Sequence, residues 1–566
     1  MQFAHMNNSL PIYSQYKRLV TKEVVIGSLP VGGNHPIRLQ SMTNTPTLDT
    51  KATVEQCIRL FDAGCDYVRI TAQGPREALH LAVIKDELHK RGYTRPLIAD
   101  IHFSPEAAEI AAGIVEKVRI NPGNYTDKKK GKPHYTETEY REELDRIRER
   151  MAPLIRICRE HGTALRIGSN HGSLSERIMS RFGDTPEGMV QAALEFIDIC
   201  ESLDFNQLVI SMKASNPFVM IAANRLLVLK MAERGVIYPI HLGVTEAGDG
   251  EDGRIKSAAG IGALLAEGIG DTIRVSLTEA PEAELPVAKI LANLTENFKN
   301  AEIEEVFSGC MPSGVTFRHS AIEQHGMGAH HVPLVVGTLA PADILAKDNL
   351  PFPVTTIHTS SFRKETLNTL PAGQPLVVVS DHPMELMALR NTLLHIAERD
   401  FRVPVIIKKE SRDPNAEKFI TEAAAGLAPV FQEGFGNGLW LHNPTLPGET
   451  VVNAAFGILQ ASRARISKTE YIACPSCGRT LFNIQDTLRK VRERTAHLKG
   501  LTIGVMGCIV NGPGEMAGAD YGYVGAGKGR ITLYKGQTPV KRDVPEEDAV
   551  EELIRLIKEN VQWRDP

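Results

Sequence analysis

A short β-branched run, a polar residue or two, a loop and a helical stretch recur eight times between Ile37 and Leu277, and this repeat constrains the fold more than any other feature of the chain. The runs are Ile37 to Ser41, Tyr67 to Thr71, Pro96 to Asp100, Lys117 to Asn121, Ala164 to Gly168, Leu208 to Lys213, Ile240 to Thr245 and Thr272 to Leu277. Nearly every interval leaves room for a returning helix, so the runs are expected to pair as parallel strands. Eight strand–helix units in roughly 250 residues is the arithmetic of a (β/α)8 TIM barrel. The longest interval carries Lys128, Lys129, Lys130, Gly131 and Lys132, read as a solvated loop ahead of a helix through Glu142 to Arg159.

Barrel enzymes place their chemistry at the C-terminal ends of the strands. Here those ends are cationic: Arg69, Arg119, Arg166 and Arg274 each stand between apolar neighbours, and a fifth run ends in Lys213. An arginine so placed points into the barrel or against the helices, and both places are too dry for an unpaired guanidinium. Asp100 and Glu246 are the strand-end acids available to pair with them. Five cations against two acids leave an excess of positive charge, which suits a multiply charged anion gripped by arginine forks. His102, Asn121, Asn170, Thr245 and Ser276 extend this set into a pocket for hydroxyls and phosphates, while His171 reads as a loop cap.

A chain of 566 residues exceeds one hydrophobic core, so several domains are expected. Residues 1–295 form the barrel, 296–465 an inserted, barrel-like α/β domain without a comparable arginine set, and 466–566 a small α+β domain. The insert is read as a scaffold, with strands at Pro333 to Leu339, Val354 to His358, Pro375 to Ser380, Val403 to Lys408 and Gly438 to His442, and a helix at Pro383 to Arg399. His358, His382 and His442 there have no assigned role. A net charge of -4 gives no overall pull on phosphate backbones, which argues against a nucleic-acid partner. No apolar run reaches signal-peptide or membrane-spanning length, so the expected location is cytoplasmic.

The last domain holds the strongest motif. Cys474-Pro-Ser-Cys477 precedes a helical pattern of Leu481, Ile484, Leu488 and Val491, which places the pair at a helix start. A strand from Leu501 to Met506 delivers Cys508 into the turn Asn511-Gly-Pro-Gly-Glu515. Three thiolates and a carboxylate suit an iron–sulfur cluster with one exchangeable corner, or zinc. Cys57, Cys65, Cys158, Cys200 and Cys310 read as buried thiols. Tyr521 to Gly525 and Arg530 to Tyr534 read as a hairpin, Glu546 to Val561 as a closing helix, and Gly525-Ala-Gly-Lys-Gly529 as a simple turn.

Gln40-Ser-Met-Thr-Asn44, Ala99-Asp-Ile-His-Phe103, Val118-Arg-Ile-Asn-Pro-Gly-Asn124, Ser211-Met-Lys-Ala-Ser215, His241-Leu-Gly-Val-Thr-Glu-Ala-Gly248 and Gly270-Asp-Thr-Ile-Arg-Val-Ser276, with the two cysteine motifs, resemble the 4-hydroxy-3-methylbut-2-enyl diphosphate synthases of the non-mevalonate isoprenoid pathway, in their long three-domain form. The likeness covers roughly residues 20–295 and 466–566, and the one departure is Ser169, where an apolar residue is common. It implies a bacterial cytoplasmic oxidoreductase that opens and dehydrates 2-C-methyl-D-erythritol 2,4-cyclodiphosphate with two electrons from ferredoxin or flavodoxin. It further implies a [4Fe-4S] cluster on Cys474, Cys477, Cys508 and Glu515, with Glu515 able to give way. The diphosphate would meet Arg69, Arg119, Arg166, Lys213 and Arg274, helped by Asp100, His102, Asn121, Asn170, Thr245 and Ser276, and Glu246 and Asn511 would handle protons or position oxygen. A homodimer is implied, in which the cluster domain of one subunit closes on the barrel of the other. Two readings from other classes stand beside this one: a zinc-stapled TIM-barrel lyase or hydrolase acting on a sugar phosphate, and a non-enzymatic iron–sulfur sensor.

Overall fold

The computed structural model describes residues 12–126, 132, 134–308, 317–399, 401–510 and 512–565. Eight parallel strands form the barrel: β1 (Arg38–Met42), β2 (Tyr67–Thr71), β3 (Leu97–Asp100), β4 (Lys117–Ile120), β5 (Ala164–Asn170), β6 (Leu208–Lys213), β7 (His241–Leu242) and β8 (Thr272–Ile273). They pair in the order β6-β5-β4-β3-β2-β1-β8-β7, and a parallel bridge between Ile210 and Ile240 closes the ring. β7 and β8 are shorter than the sequence suggests. The chain leaves regular pairing after Leu242, next to Gly243, where a Cβ would stand 2.7 Å from the Lys213 ammonium. An inward lysine fills that level of the barrel in place of a strand side chain.

The register decides what the barrel is for. Asp100 pairs laterally with Arg119, and Arg119 with Arg166, while Met42 pairs with Arg69. The inward residues at the strand ends therefore form one polar level. Beneath it the floor is apolar: Val24 and Val31 form an antiparallel bridge and pack, with Ile26, on Tyr67, Ile98, Ala164 and Val209. The helix within the long fourth interval runs over Glu137–His161, longer than expected, because Thr136 and Glu139 close a capping box at its start. Lys132 pairs with Glu139, and the rest of the lysine run lies outside the described residues.

By contacts the chain forms two compact units. One comprises Val20–Gly253, Gly270–Ala288 and Lys468–Pro566, so the barrel strands and the cysteine-bearing segment belong together. Within it, strands Glu470–Ala473, Thr502–Met506 and Tyr521–Gly527 run parallel, and Arg530–Lys535 and Thr538–Pro545 add antiparallel edges. The last of these was not expected, since most of its positions are exposed or half-buried and only Val544 is buried. Helices Ile484–Thr495 and Ala549–Glu559 cover the sheet through Leu488, Val491, Leu553 and Ile557. The first begins only at Ile484, capped by Asn483. The cysteine pair therefore follows a strand end rather than opening a helix, and the helix dipole has no part in it.

The other unit gathers Met1–Leu19, Arg254–Ile269 and Lys289–Ser467. Its parallel sheet runs Ile344–Leu345, Leu334–Gly337, Gly438–His442, Val405–Glu410, Leu376–Val379 and Thr355–His358. The two-residue strand is too short to leave a pattern in sequence. The predicted helix forms over Glu385–Glu398 and buries Arg390 completely, 2.8 Å from Glu267 and 2.6 Å from Glu433. A guanidinium held by two carboxylates is a satisfied structural group. His358 is 2.7 Å from Asp381 and His382 is 3.1 Å from the Glu302 carbonyl. Among the described residues no helix is long and apolar enough to cross a membrane.

Candidate functional site

One cavity is lined by Arg69, Asp100, His102, Arg119, Arg166, Asn170, Lys213, Thr245, Glu246, Arg274 and Ser276 from the barrel, and by Cys474, Cys477, Cys508 and Glu515 from the C-terminal sheet of the same chain. Asn121 is the exception. It donates to Ser173 at 3.1 Å and accepts from the Gly123 N–H at 3.0 Å, so it shapes the loop after β4 and does not line the cavity. Asn511 lies outside the described residues.

The cations divide into paired and unpaired. Arg119 reaches Asp100 at 3.2 Å, His102 at 2.9 Å and the Gly168 carbonyl at 3.0 Å. Gly168 is required there, since a Cβ would lie 2.7 Å from the Arg119 Nε. Arg274 is held by Glu284 through contacts of 3.1 and 2.9 Å, an acid that strand-end logic misses because it begins the helix after β8. Arg479 reaches the other oxygen of Asp100 at 3.2 Å. Its place two residues after Cys477 was a legible signal.

Arg69, Arg166 and Lys213 have no carboxylate hydrogen bond among the described residues. Arg69 donates to the Met42 sulfur at 3.2 and 3.0 Å, a weak acceptor. Arg166 is buried with its Nε and one Nη unsatisfied. Burial, followed by the neighbouring cations, pushes the Arg69 guanidinium down to about 10 and drives Arg166 and Lys213 well below their usual ranges. A cavity that strains to keep its own charge is poised for an anion.

His102 is the neutral member. Burial, then Arg479, pushes its imidazole from 6.5 to about 3, against the pull of Asp100. Burial alone would raise Asp100, but Arg69 and Arg119 hold it well below the usual carboxylate range. Because the folded value of His102 is depressed, its contribution to stability is complete above pH 6.5 and is lost as pH falls toward 3. At pH 5 the loss is about 2 kcal/mol. Thermal unfolding midpoints should therefore drop further between pH 7 and pH 5 for the parent protein than for His102→Gln; equal drops would refute the assignment.

Opposite the cations, Glu246 sits in a left-handed conformation at φ 50°, rare for a residue with a side chain. Its carbonyl accepts from the Ala473 N–H at 3.3 Å, and Ala247 bridges Ala473, so the strained turn after β7 seats the edge of the C-terminal sheet. Burial, then Glu515, pushes its carboxyl well above the usual range. Glu515 itself accepts from Asn170 Nδ2 at 2.7 Å, and its carbonyl accepts from Ser215 at 3.2 Å. Gly172 and Gly514 meet backbone to backbone: a Cβ on either would stand 2.0 or 1.8 Å from the other's carbonyl oxygen.

The cysteines are half-buried free thiols. The Cys474 sulfur accepts the Gly507 N–H at 3.3 Å. Thr480 accepts from the Cys477 N–H at 3.0 Å and from Ser476, which turns at φ 71°. Burial, then neighbouring thiols, pushes Cys474 and Cys508 up. Thiolates that oppose one another's ionisation are stabilised by a shared cationic centre. Among the described residues no three His, Cys, Asp or Glu side chains form a cage for one ion. Three cysteines and Glu515 lining one cavity, with an N–H aimed at sulfur, are a donor set that fits an iron–sulfur cluster.

Residues 21–289 match the GcpE TIM-barrel domain and residues 470–559 the GcpE protein C-terminal domain. The 4-hydroxy-3-methylbut-2-en-1-yl diphosphate synthase (flavodoxin) of Parabacteroides distasonis is 47% identical over 97% of this chain and 99% of its own length. Proteins of the same description from Porphyromonas gingivalis and Akkermansia muciniphila are 46% and 45% identical, covering 97% and 98% of this chain and 99% and 98% of their own lengths.

Proposed function

Because the chain belongs to the 4-hydroxy-3-methylbut-2-en-1-yl diphosphate synthase family, we propose that its cavity performs the reductive dehydration and ring opening of 2-C-methyl-D-erythritol 2,4-cyclodiphosphate, with flavodoxin as the source of two electrons. The observation that carries the reading is the meeting in one cavity of three buried cations without a carboxylate hydrogen bond among the described residues, Arg69, Arg166 and Lys213, with three cysteines. A cyclic diphosphate supplies the missing negative charge, and arginine forks fix its orientation. Arg119 and Arg274, already tied to Asp100 and Glu284, hold the walls of the anion site.

Cys474, Cys477, Cys508 and Glu515 would hold a [4Fe-4S] cluster, which when bound supplies single electrons beside the substrate. The remaining chemistry falls to the chain. The hydroxyl lost as water needs a proton, and Glu246, kept protonated by burial and by Glu515, holds one at the cavity wall. Asn170, bonded to Glu515, and Ser276 on the β8 side orient oxygen atoms between the two halves. The Gly172–Gly514 contact and the Ala247–Ala473 bridge join the barrel to the cysteine-bearing sheet, which brings the cations and the cysteines into one cavity.

The test is anaerobic turnover of the cyclodiphosphate with reduced flavodoxin, alongside iron, sulfide and zinc analysis. A brown protein that forms the allylic diphosphate is the expected result. A colourless zinc protein without that activity would favour the hydrolase or lyase reading instead.

A further inference from the structure

Electrons reach this cavity from a protein too large to enter it, so a surface beside the cysteines has to receive that protein. Leu481 donates its N–H to the Gly507 carbonyl at 3.1 Å, one residue before Cys508, and is 38% exposed. Ile509, directly after Cys508, is 55% exposed. Gly525 packs on the same carbonyl: a Cβ there would lie 2.5 Å from the Gly507 oxygen and 3.1 Å from the Phe482 ring. From that contact the strand runs out to its turn and exposes Lys528. On the barrel side, Gln73 donates to the Gly478 carbonyl at 3.1 Å, and Arg76 stands exposed three residues later, in the first turn of the following helix. Neither Lys528 nor Arg76 has an ion pair among the described residues.

We propose that this face receives the electron-donating flavoprotein, with Leu481 and Ile509 as the apolar centre and Lys528 and Arg76 as flanking cations that select an acidic partner. The inference rests on the functional reading above and adds where the donor sits. Two exposed apolar side chains on either side of a cysteine ligand exclude water where donor and acceptor come closest. Unpaired flanking cations steer an acidic partner and raise its rate of encounter. A small apolar centre with a charged rim suits the brief contacts of electron-transfer proteins, which form, pass an electron and separate. The glycine-rich turn Gly525–Gly529 gains a purpose: Gly525 lets the hairpin close on the cysteine loop and carry Lys528 to its edge.

The test compares two electron sources on the cluster-loaded protein, reduced flavodoxin and dithionite with methyl viologen. In a Lys528→Glu, Arg76→Glu double variant, the KM for flavodoxin should rise about ten-fold, while turnover with viologen and iron content stay at parent levels. The parent's KM for flavodoxin should climb with salt, and the variant's should not. Leu481→Asp should impair the flavodoxin reaction alone. Parent-like flavodoxin kinetics and salt dependence in the double variant would overturn the docking face while leaving the functional reading intact. Failure of the parent to turn over with viologen would overturn the functional reading, and the docking face with it.

Discussion

Arg166→Leu is expected to weaken binding of the cyclic diphosphate by roughly thirty-fold or more and, in the same protein, to raise the unfolding temperature of the ligand-free form. The two effects have one cause. The Arg166 guanidinium is buried with two nitrogens unsatisfied. Without ligand it is therefore a destabilising group, and an apolar replacement of similar volume relieves that cost. With ligand it makes a buried charge-assisted contact, whose loss costs about 2 kcal/mol or more. Arg274→Leu should behave in the opposite sense for stability, because it strands Glu284, only 2.9 Å away and buried, without its partner. A loss of about 3 kcal/mol is the expected scale for breaking such a pair. Calorimetric titration and thermal unfolding of both variants decide the matter. If Arg166→Leu proves as destabilised as Arg274→Leu, its guanidinium is an internal salt-bridge partner and not a substrate group.

Cys508→Ser is expected to leave the protein without its cluster and without measurable turnover, as are Cys474→Ser and Cys477→Ser. A serine hydroxyl does not ionise where a thiol does, so the site loses one of three anionic sulfur ligands while burial still opposes the ionisation of Cys474. Glu515→Ala should differ in kind. It removes the weakest donor, retains part of the iron, and frees Asn170, whose bond to Glu515 is 2.7 Å. Iron and sulfide after anaerobic reconstitution, with the visible spectrum, separate the two classes. Full iron, sulfide and activity in Cys508→Ser would remove the three-cysteine assignment.

The barrel was legible because parallel strands buried on both faces leave β-branched runs, and because an arginine inside such a run has few places to go. Register turned that hint into a site: Asp100, Arg119 and Arg166 are lateral neighbours, a fact that no local pattern contains. Sequence could not rank the five cations, since the acid that neutralises Arg274 lies in the helix after β8 rather than at a strand end. Nor could it see that Glu246 faces Glu515 and not an arginine, since that pairing joins residues far apart in the chain. Asn121 fell the other way: its motif marks a turn, and the turn is what its side chain holds. The position of the cysteine pair was misread because Leu481 matches the helical spacing, although Asn483 caps the helix after it.

The glycine contact between the barrel and the cysteine-bearing sheet bears on how fast such a molecule can work. Gly172 and Gly514 touch through their main chains alone, and main chain has no rotamers with which to yield. A joint of that kind is either seated or not, with no gradual opening in which a side chain swings aside. Any passage of substrate or product through this joint would require the short helical turn bearing Gly514 to lift away whole and settle again. The clock of the molecule would be set by that unseating, leaving bond cleavage to run faster than the cycle that contains it.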